Sequence, residues 1–199
     1  MQPKPPKPKA CKVCKTKFTP ARPFQTWCSP ECGLELVKAK QAKEGKAKAK
    51  AERQADKAKR ERLKTISQLE EECRKIVQEI ARIRDRHDGC ISCHVGPNYQ
   101  GIWHGSHYRA HGACSSLQFH LWNIHKACEQ CNYFKGGNKE GYITGLMNKP
   151  GYGPGRVEWL DSQPKSQRFT RDYLERFKAV MSKRRNRLKR SASGQRQRS

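Results

Sequence analysis

Apolar positions along the chain fall into unlike patterns, separated by stretches that have almost none. Ile66, Leu69, Cys73, Ile76, Ile80 and Ile83 recur at spacings of 3, 4, 3, 4 and 3. This is the a/d seam of an amphipathic helix, about two and a half heptads long. Such a seam needs a partner, either the C-terminal helix of the same chain or a second copy in a homodimer, and its shortness favours the first. Tyr173, Leu174, Phe177, Val180, Met181 and Leu188 share one broad side of a helix expected over 171–189, with Thr170 as its cap. Before the seam, residues 35–64 offer little apolar surface beyond alanine, and Lys, Ala, Glu, Gln and Arg are strong helix formers. One long basic helix is therefore predicted over 35–88, with Gly45 as its one breaker. Residues 141–167 read as loop, with GYGPG at 151–155 as a turn signal.

Composition narrows the class. Of 199 residues only 34% are apolar, mean hydropathy is −1.04, and a single large hydrophobic core is excluded. No apolar run approaches the roughly 20 residues that span a bilayer. MQPKPPKPKA lacks a signal-peptide core, so a soluble, cytoplasmic protein without a membrane partner is expected. The net charge of +25 is concentrated in a proline-lysine arm over 1–10, in the helix and in the tail after 182. Both ends, 1–10 and 190–199, are expected to be disordered. Solvated helix faces usually mix signs, yet residues 38–64 hold twelve basic residues against four acidic ones. Phosphate contact explains that bias better than a spacer does.

Eight of the ten cysteines form four close pairs: Cys11/Cys14, Cys28/Cys32, Cys90/Cys93 and Cys128/Cys131. A short C-x2-C turn aims two thiolates at one centre, and two such turns complete a tetrahedral Zn²⁺ shell. Two structural zinc sites are expected, one at 11–32 and one at 90–131. They would explain how so polar a chain folds, since structural zinc supplies folding free energy directly. Phe18, Phe24 and Trp27 surround the first site, and Cys73 and Cys114 are expected to pack as small apolar residues.

A zinc held by four thiolates has no open position for chemistry. Any catalysis must come from other side chains of this segment, where His94, His104, His107, His111, His120 and His125 lie with Asn123 between the second pair of knuckles and Asn132 directly follows Cys131. Asn123, Cys128, Cys131 and Asn132, in the form N-x4-C-x2-C-N, resemble the HNH, or ββα-metal, endonuclease motif. His107 in GSHYR stands where that family's base histidine falls, on a hairpin strand, and Lys135 where its helix often offers a phosphate-binding lysine. More narrowly, WCSPECG at 27–33, the lysine-rich helix, CISC at 90–93, SHYR at 106–109 and NIHKACEQCN at 123–132 resemble the lambdoid phage NinG (Rap) recombination nuclease family over nearly the full length.

That resemblance implies a small zinc-stabilised α+β fold. Its parts would be an N-terminal zinc knuckle over 11–34, the long basic helix, an HNH-like core over 89–140, and a loop with the C-terminal helix over 141–189. It also implies metal-dependent nicking of branched DNA such as Holliday junctions and D-loops. His107 would be the general base, Asn123 would orient it through its ring or backbone, and Asn132 would offer an oxygen to Mg²⁺ or Mn²⁺. Arg109 and Lys135 would clamp phosphate. One position departs from the HNH pattern: the aspartate that many HNH nucleases have directly before the base histidine is Ser106 here, so the ion needs a further ligand, for which His111 and His125 are candidates. The competing class is a non-catalytic zinc protein that binds DNA in recombination or transcription, which has no need of the His107, Asn123 and Asn132 set.

Overall fold

The computed structural model describes residues 7–196, with side chains through residue 193. It divides into two units, residues 1–63 and 64–199, of which residues 1–6 and 197–199 lie outside the description. The predicted disorder of the first and last residues falls partly there. Within the described part, Lys9–Ala10 (β1) pairs antiparallel with Lys17–Phe18 (β2). At the other end the last helix runs on to Arg196 instead of fraying after 189.

In the first unit, β1 and β2 precede a helix, α1, over Pro30–Leu63. Proline suits a first helical turn, where its missing N–H costs nothing, and the Ser29 hydroxyl accepts from the Cys32 N–H at 3.4 Å. No residue of α1 is buried, as a sequence without an apolar face requires. The helix runs through Gly45 at a cost of about 1 kcal/mol relative to alanine.

The single helix predicted over 35–88 is two helices. Thr65 ends the first and caps the second, α2, over Ile66–Arg84. Its hydroxyl accepts from the Gln68 N–H at 3.2 Å, while the Gln68 side chain accepts from the Thr65 N–H at 2.9 Å. This reciprocal capping box satisfies two donors that a new helix would otherwise leave bare.

The seam of α2 is largely as read, with Leu69, Cys73, Ile76 and Ile80 buried. Its end residue Ile66 lies 40% exposed, and Val77 and Ala81 join the buried face. A helix of 3.6 residues per turn drifts off a strict 3.5 repeat in this way. The partner is intramolecular. The C-terminal helix, which becomes α5 below, brings Leu174, Phe177, Met181 and Leu188 against the seam. Cys73 packs there as expected, and burial pushes its thiol up to about 11.

Two strands cross α2. Trp103–His107 (β3) pairs antiparallel with Ile124–Cys128 (β4), running from Trp103 opposite Cys128 to His107 opposite Ile124. Gly105 makes this crossing possible, because a Cβ there would stand 2.6 Å from the Gln78 Cα. All five residues of β4 are buried.

The predicted loop over 141–167 is mostly helical. Lys139–Asn148 (α3) and Pro154–Ser162 (α4) bury Tyr142, Leu146, Val157 and Leu160 against Tyr108, Cys114 and Leu117. GYGPG is the start of α4, with Gly153 at φ 71° and Pro154 in the first turn. The last helix, α5, spans Arg171–Arg196. Among the described residues no helix is long and apolar enough to cross a membrane.

Candidate functional site

The eight paired cysteines assemble as two clusters, Cys11, Cys14, Cys28 and Cys32 in the first unit and Cys90, Cys93, Cys128 and Cys131 in the second. Within each cluster all Sγ atoms lie within 4.8 Å of one another. All are free thiols. Cys28 and Cys32 Sγ are 3.7 Å apart, as are those of Cys93 and Cys128. A disulfide needs about 2.05 Å, whereas thiolates about 2.3 Å from a tetrahedral Zn²⁺ lie about 3.8 Å apart. Donors surround the second cluster: the N–H groups of Ser92 and Cys128 point at Cys90 Sγ at 3.4 and 3.3 Å, and the Asn138 amide at Cys131 Sγ at 3.4 Å. Buried sulfurs that receive N–H bonds and have no disulfide are suited to thiolate ligation of a metal ion.

The second cluster also sets the geometry beside it. Cys128 ends β4, and the wide helical turn Gln130–Phe134 carries Cys131 and Asn132 directly after it. Cross-linking Cys128 and Cys131 to the Cys90 loop through one ion would hold that turn against β3. A cavity of about 280 Å³ opens there, its lining including His104, His107, His111, Asn132, Gly136 and Gly137. His107 and Asn132, far apart in sequence, therefore share one concave surface.

His107 has its Nε2 3.0 Å from the Gln118 carbonyl, so Nε2–H donates and the neutral ring carries its basic lone pair on Nδ1. Burial pulls its pKa down to about 4, helped by His111 and Arg74, while the bond to Gln118 acts the other way. The ring is thus unprotonated at neutral pH. His111 is exposed, its ring centroid 6.1 Å from that of His107.

Asn123 is completely buried, and among the described residues its side chain makes no hydrogen bond to the His107 ring. Its side chain holds the next loop: Oδ1 accepts from the Arg109 N–H, and Nδ2 donates to the carbonyls of Arg109 and Leu117. Orientation of His107 through its own ring or backbone is corrected to clamping of the chain two residues on.

Arg109 is placed otherwise than predicted. Its guanidinium NH1 donates to the carbonyls of Leu160, Asp161 and Gln163 at 2.9–3.1 Å, closing the C-terminal end of α4, and it does not line the cavity. Lys135 is exposed at the end of the turn that carries Asn132.

His125, a candidate further ligand, is committed elsewhere. It is fully buried, with Nδ1 2.9 Å from Arg84 NH2 and 3.2 Å from Asp85 Oδ2, and Nε2 donating to the Trp122 carbonyl. Burial lowers its pKa. Asp85 is itself held well below the usual carboxylate range: Arg84 and His125 outweigh its burial. This knot ties the end of α2 to β4, and the sequence pattern pointed to none of it. Nor did it single out His104, whose Nε2 is buried beside the cavity with no hydrogen-bond partner among the described residues.

The model of the family described as Bacteriophage Lambda NinG protein matches residues 3–191. The chain belongs to the NinG family. It is 34% identical to protein ninG of Escherichia phage lambda over 183 residues, which cover 86% of each chain. Against protein ninG of Salmonella phage P22 it is 34% identical over 173 residues, 81% of this chain and 83% of that one. For the ninG protein of Enterobacteria phage H19B the figures are 33% over 193 residues, 90% and 92%. No solved structure matches the chain. NinG membership thus takes in both cysteine clusters, the basic helix and the cavity between β3 and the Asn132 turn.

Proposed function

We propose that this NinG-family chain is a phage recombination endonuclease of the HNH type, which hydrolyses phosphodiester bonds in branched DNA such as Holliday junctions and D-loops. The observation that carries the proposal is the shared cavity of His107 and Asn132, built on an antiparallel strand pair and fastened by a four-cysteine cluster. Each four-cysteine cluster would hold a structural Zn²⁺. The Asn132 side-chain carbonyl, an oxygen donor of the kind Mg²⁺ and Mn²⁺ prefer, would hold such an ion with His111 at hand, and the ion would supply electrophilic assistance to the scissile phosphate. His107 takes a proton from water. The ring is neutral at working pH and so free to accept a proton, but burial makes it a weaker base than a solvated imidazole. Lys135 holds a phosphate oxygen, whereas Arg109 NH1 is engaged with three main-chain carbonyls.

The basic helix α1 grips DNA through phosphates, which gives affinity without sequence preference and a steep dependence on salt. The place of action is the cytoplasm of the bacterial host. A homodimer would suit the near-symmetric arms of a junction, although the seam of α2 is already satisfied within the chain.

One observation favours the second reading, a non-catalytic zinc protein that binds DNA as an accessory factor: no carboxylate lines the cavity among the described residues. A nicking assay separates the two. Zinc-loaded protein is incubated with Mg²⁺ or Mn²⁺ on a four-way junction and on linear duplex at matched salt, beside His107→Ala with its zinc content measured. Metal-dependent nicking of the junction that His107→Ala loses supports the enzyme. Nicking that survives in fully zinc-loaded His107→Ala removes the catalytic assignment, and equal cleavage of both substrates removes the selectivity.

A further inference from the structure

A second concave site shares no lining residue with the His107 cavity. It encloses about 710 Å³, between the C-terminal end of α2, the start of α4 and α5. Its wall includes Trp122, a large aromatic residue left 38% exposed. Trp159, 37% exposed, stands beside it with ring centroids 5.3 Å apart at 75°, and the His120 ring lies 5.0–5.3 Å from both. Indoles are costly to leave in water, and neither packs into one of the buried clusters of this unit.

The charges around these rings are sorted. Asp85 pairs with Arg84, and Asp88 with Lys149 at 2.6 Å, so both acids of the cavity are neutralised. Arg156 and Arg184 remain, with no ion pair to an acid among the described residues. The Arg156 guanidinium lies 3.9 Å over the Trp122 ring and 4.5 Å over Tyr152. The site therefore joins two partly exposed indoles to two guanidinium groups without an acidic partner among the described residues, one of them, Arg156, already laid over the Trp122 ring, in a chain of net charge +25. Aromatic faces recognise nucleobases only when those bases are unstacked, and guanidinium groups recognise the phosphates between them. A duplex shows neither base face.

We infer that the Trp122–Trp159–Arg156 surface binds a segment of unpaired DNA, stacking a base on the indoles and holding its phosphates with Arg156 and Arg184. The inference rests on DNA being the partner and not on the cleavage chemistry. Unpaired nucleotides occur where strands exchange or are displaced, so this site would add to branched-DNA selectivity by reading single-stranded character, independently of the phosphate grip.

The test is equilibrium binding of the full zinc-loaded chain, without added Mg²⁺ or Mn²⁺, to a fluorescent oligothymidylate and to a blunt duplex of matched phosphate count. Trp122→Ala and Trp159→Ala should each weaken oligothymidylate binding about 10-fold and leave duplex affinity and the salt dependence unchanged. Trp122→Phe, which keeps an aromatic face and the fold, should retain most of the affinity, and Arg156→Ala should weaken the oligothymidylate more than the duplex. Oligothymidylate binding that is unchanged in Trp159→Ala and Trp122→Ala overturns the inference while leaving DNA binding intact, as does an equal loss on both probes. A wild-type protein that binds neither probe overturns the DNA reading itself.

Discussion

Asn123 holds Arg109 by both polar groups of its backbone, accepting its N–H at 2.8 Å and donating to its carbonyl at 3.0 Å. A third bond reaches the Leu117 carbonyl at 3.2 Å. One buried amide thereby fixes the chain that leaves β3 directly after His107, and it fixes the start of β4 with it. The placing of His107 is in this sense a property of backbone geometry.

Replacing Asn123 with alanine should therefore damage stability as well as activity. Three buried hydrogen bonds are lost at about 1 kcal/mol each, and the Arg109 and Leu117 groups are left without partners. We expect a loss of roughly 3 kcal/mol in urea unfolding of the zinc-loaded protein, with nicking reduced even under conditions where the fold persists. An Asn123→Ala protein of unchanged stability would show that the clamp contributes nothing.

Arg109→Ala should behave as a packing defect. Its NH1 supports three carbonyls at the end of α4, and hydrogen bonds from a charged donor contribute about 1.5–3 kcal/mol. The expected result is a lower unfolding midpoint with an unchanged slope of DNA affinity against salt. Substituting lysines of α1 should do the reverse, since that helix buries nothing and each phosphate contact removed lowers the slope by about 0.9. A reduced salt slope in Arg109→Ala would return this arginine to the DNA surface.

What was legible in the sequence followed from spacing, and what was missed followed from partners without spacing. The cysteine pairs and the α2 seam are periodic, so both were visible. The break at Thr65 was written in its TISQ capping box, but the uniform composition on either side hid it. Helices α3 and α4 escaped because glycines and turn residues interrupt them: a Cβ at Gly145 would stand 1.8 Å from the Ile91 carbonyl oxygen, a constraint no helix-propensity reading contains. Arg109 sits beside a candidate base and so resembles a phosphate ligand, yet its partners are main-chain carbonyls from 51 residues downstream. Carbonyls have no signature in a sequence. His125 lies inside the recognised motif, but its ring is taken by Arg84 and Asp85 from another element.

Metal removal should separate the two clusters, because each lies within one unit. Cys131→Ser should lose one equivalent of zinc and destabilise residues 64–199, since structural zinc contributes apparent binding free energy of about 10–16 kcal/mol. Cys28→Ser should lose the other equivalent while the near-ultraviolet signal of the tryptophans in the second unit and the nicking of short substrates persist. Metal content with circular dichroism on both variants checks this. Loss of both equivalents in either single variant would contradict independent sites.

The acid behaviour of the protein should bear the mark of His107. Its pKa is lowered from the usual 6.5 to about 4 by burial, so between those values the unfolded chain binds a proton that the folded chain does not. Stability from this residue is complete above about pH 6.5 and is lost as pH falls towards 4, by up to about 3 kcal/mol. His120 and His125, whose pKa values are also lowered by burial, act in the same direction. In His107→Ala the stability curve should be flatter over this interval, with the difference from wild type closing at low pH. The catalytic consequence has the same origin. A base that stays unprotonated down to about pH 4 leaves the nicking rate flat through pH 6, and an acid limb centred near 6.5 would mean that His107 is solvated when DNA is bound, or that another group accepts the proton.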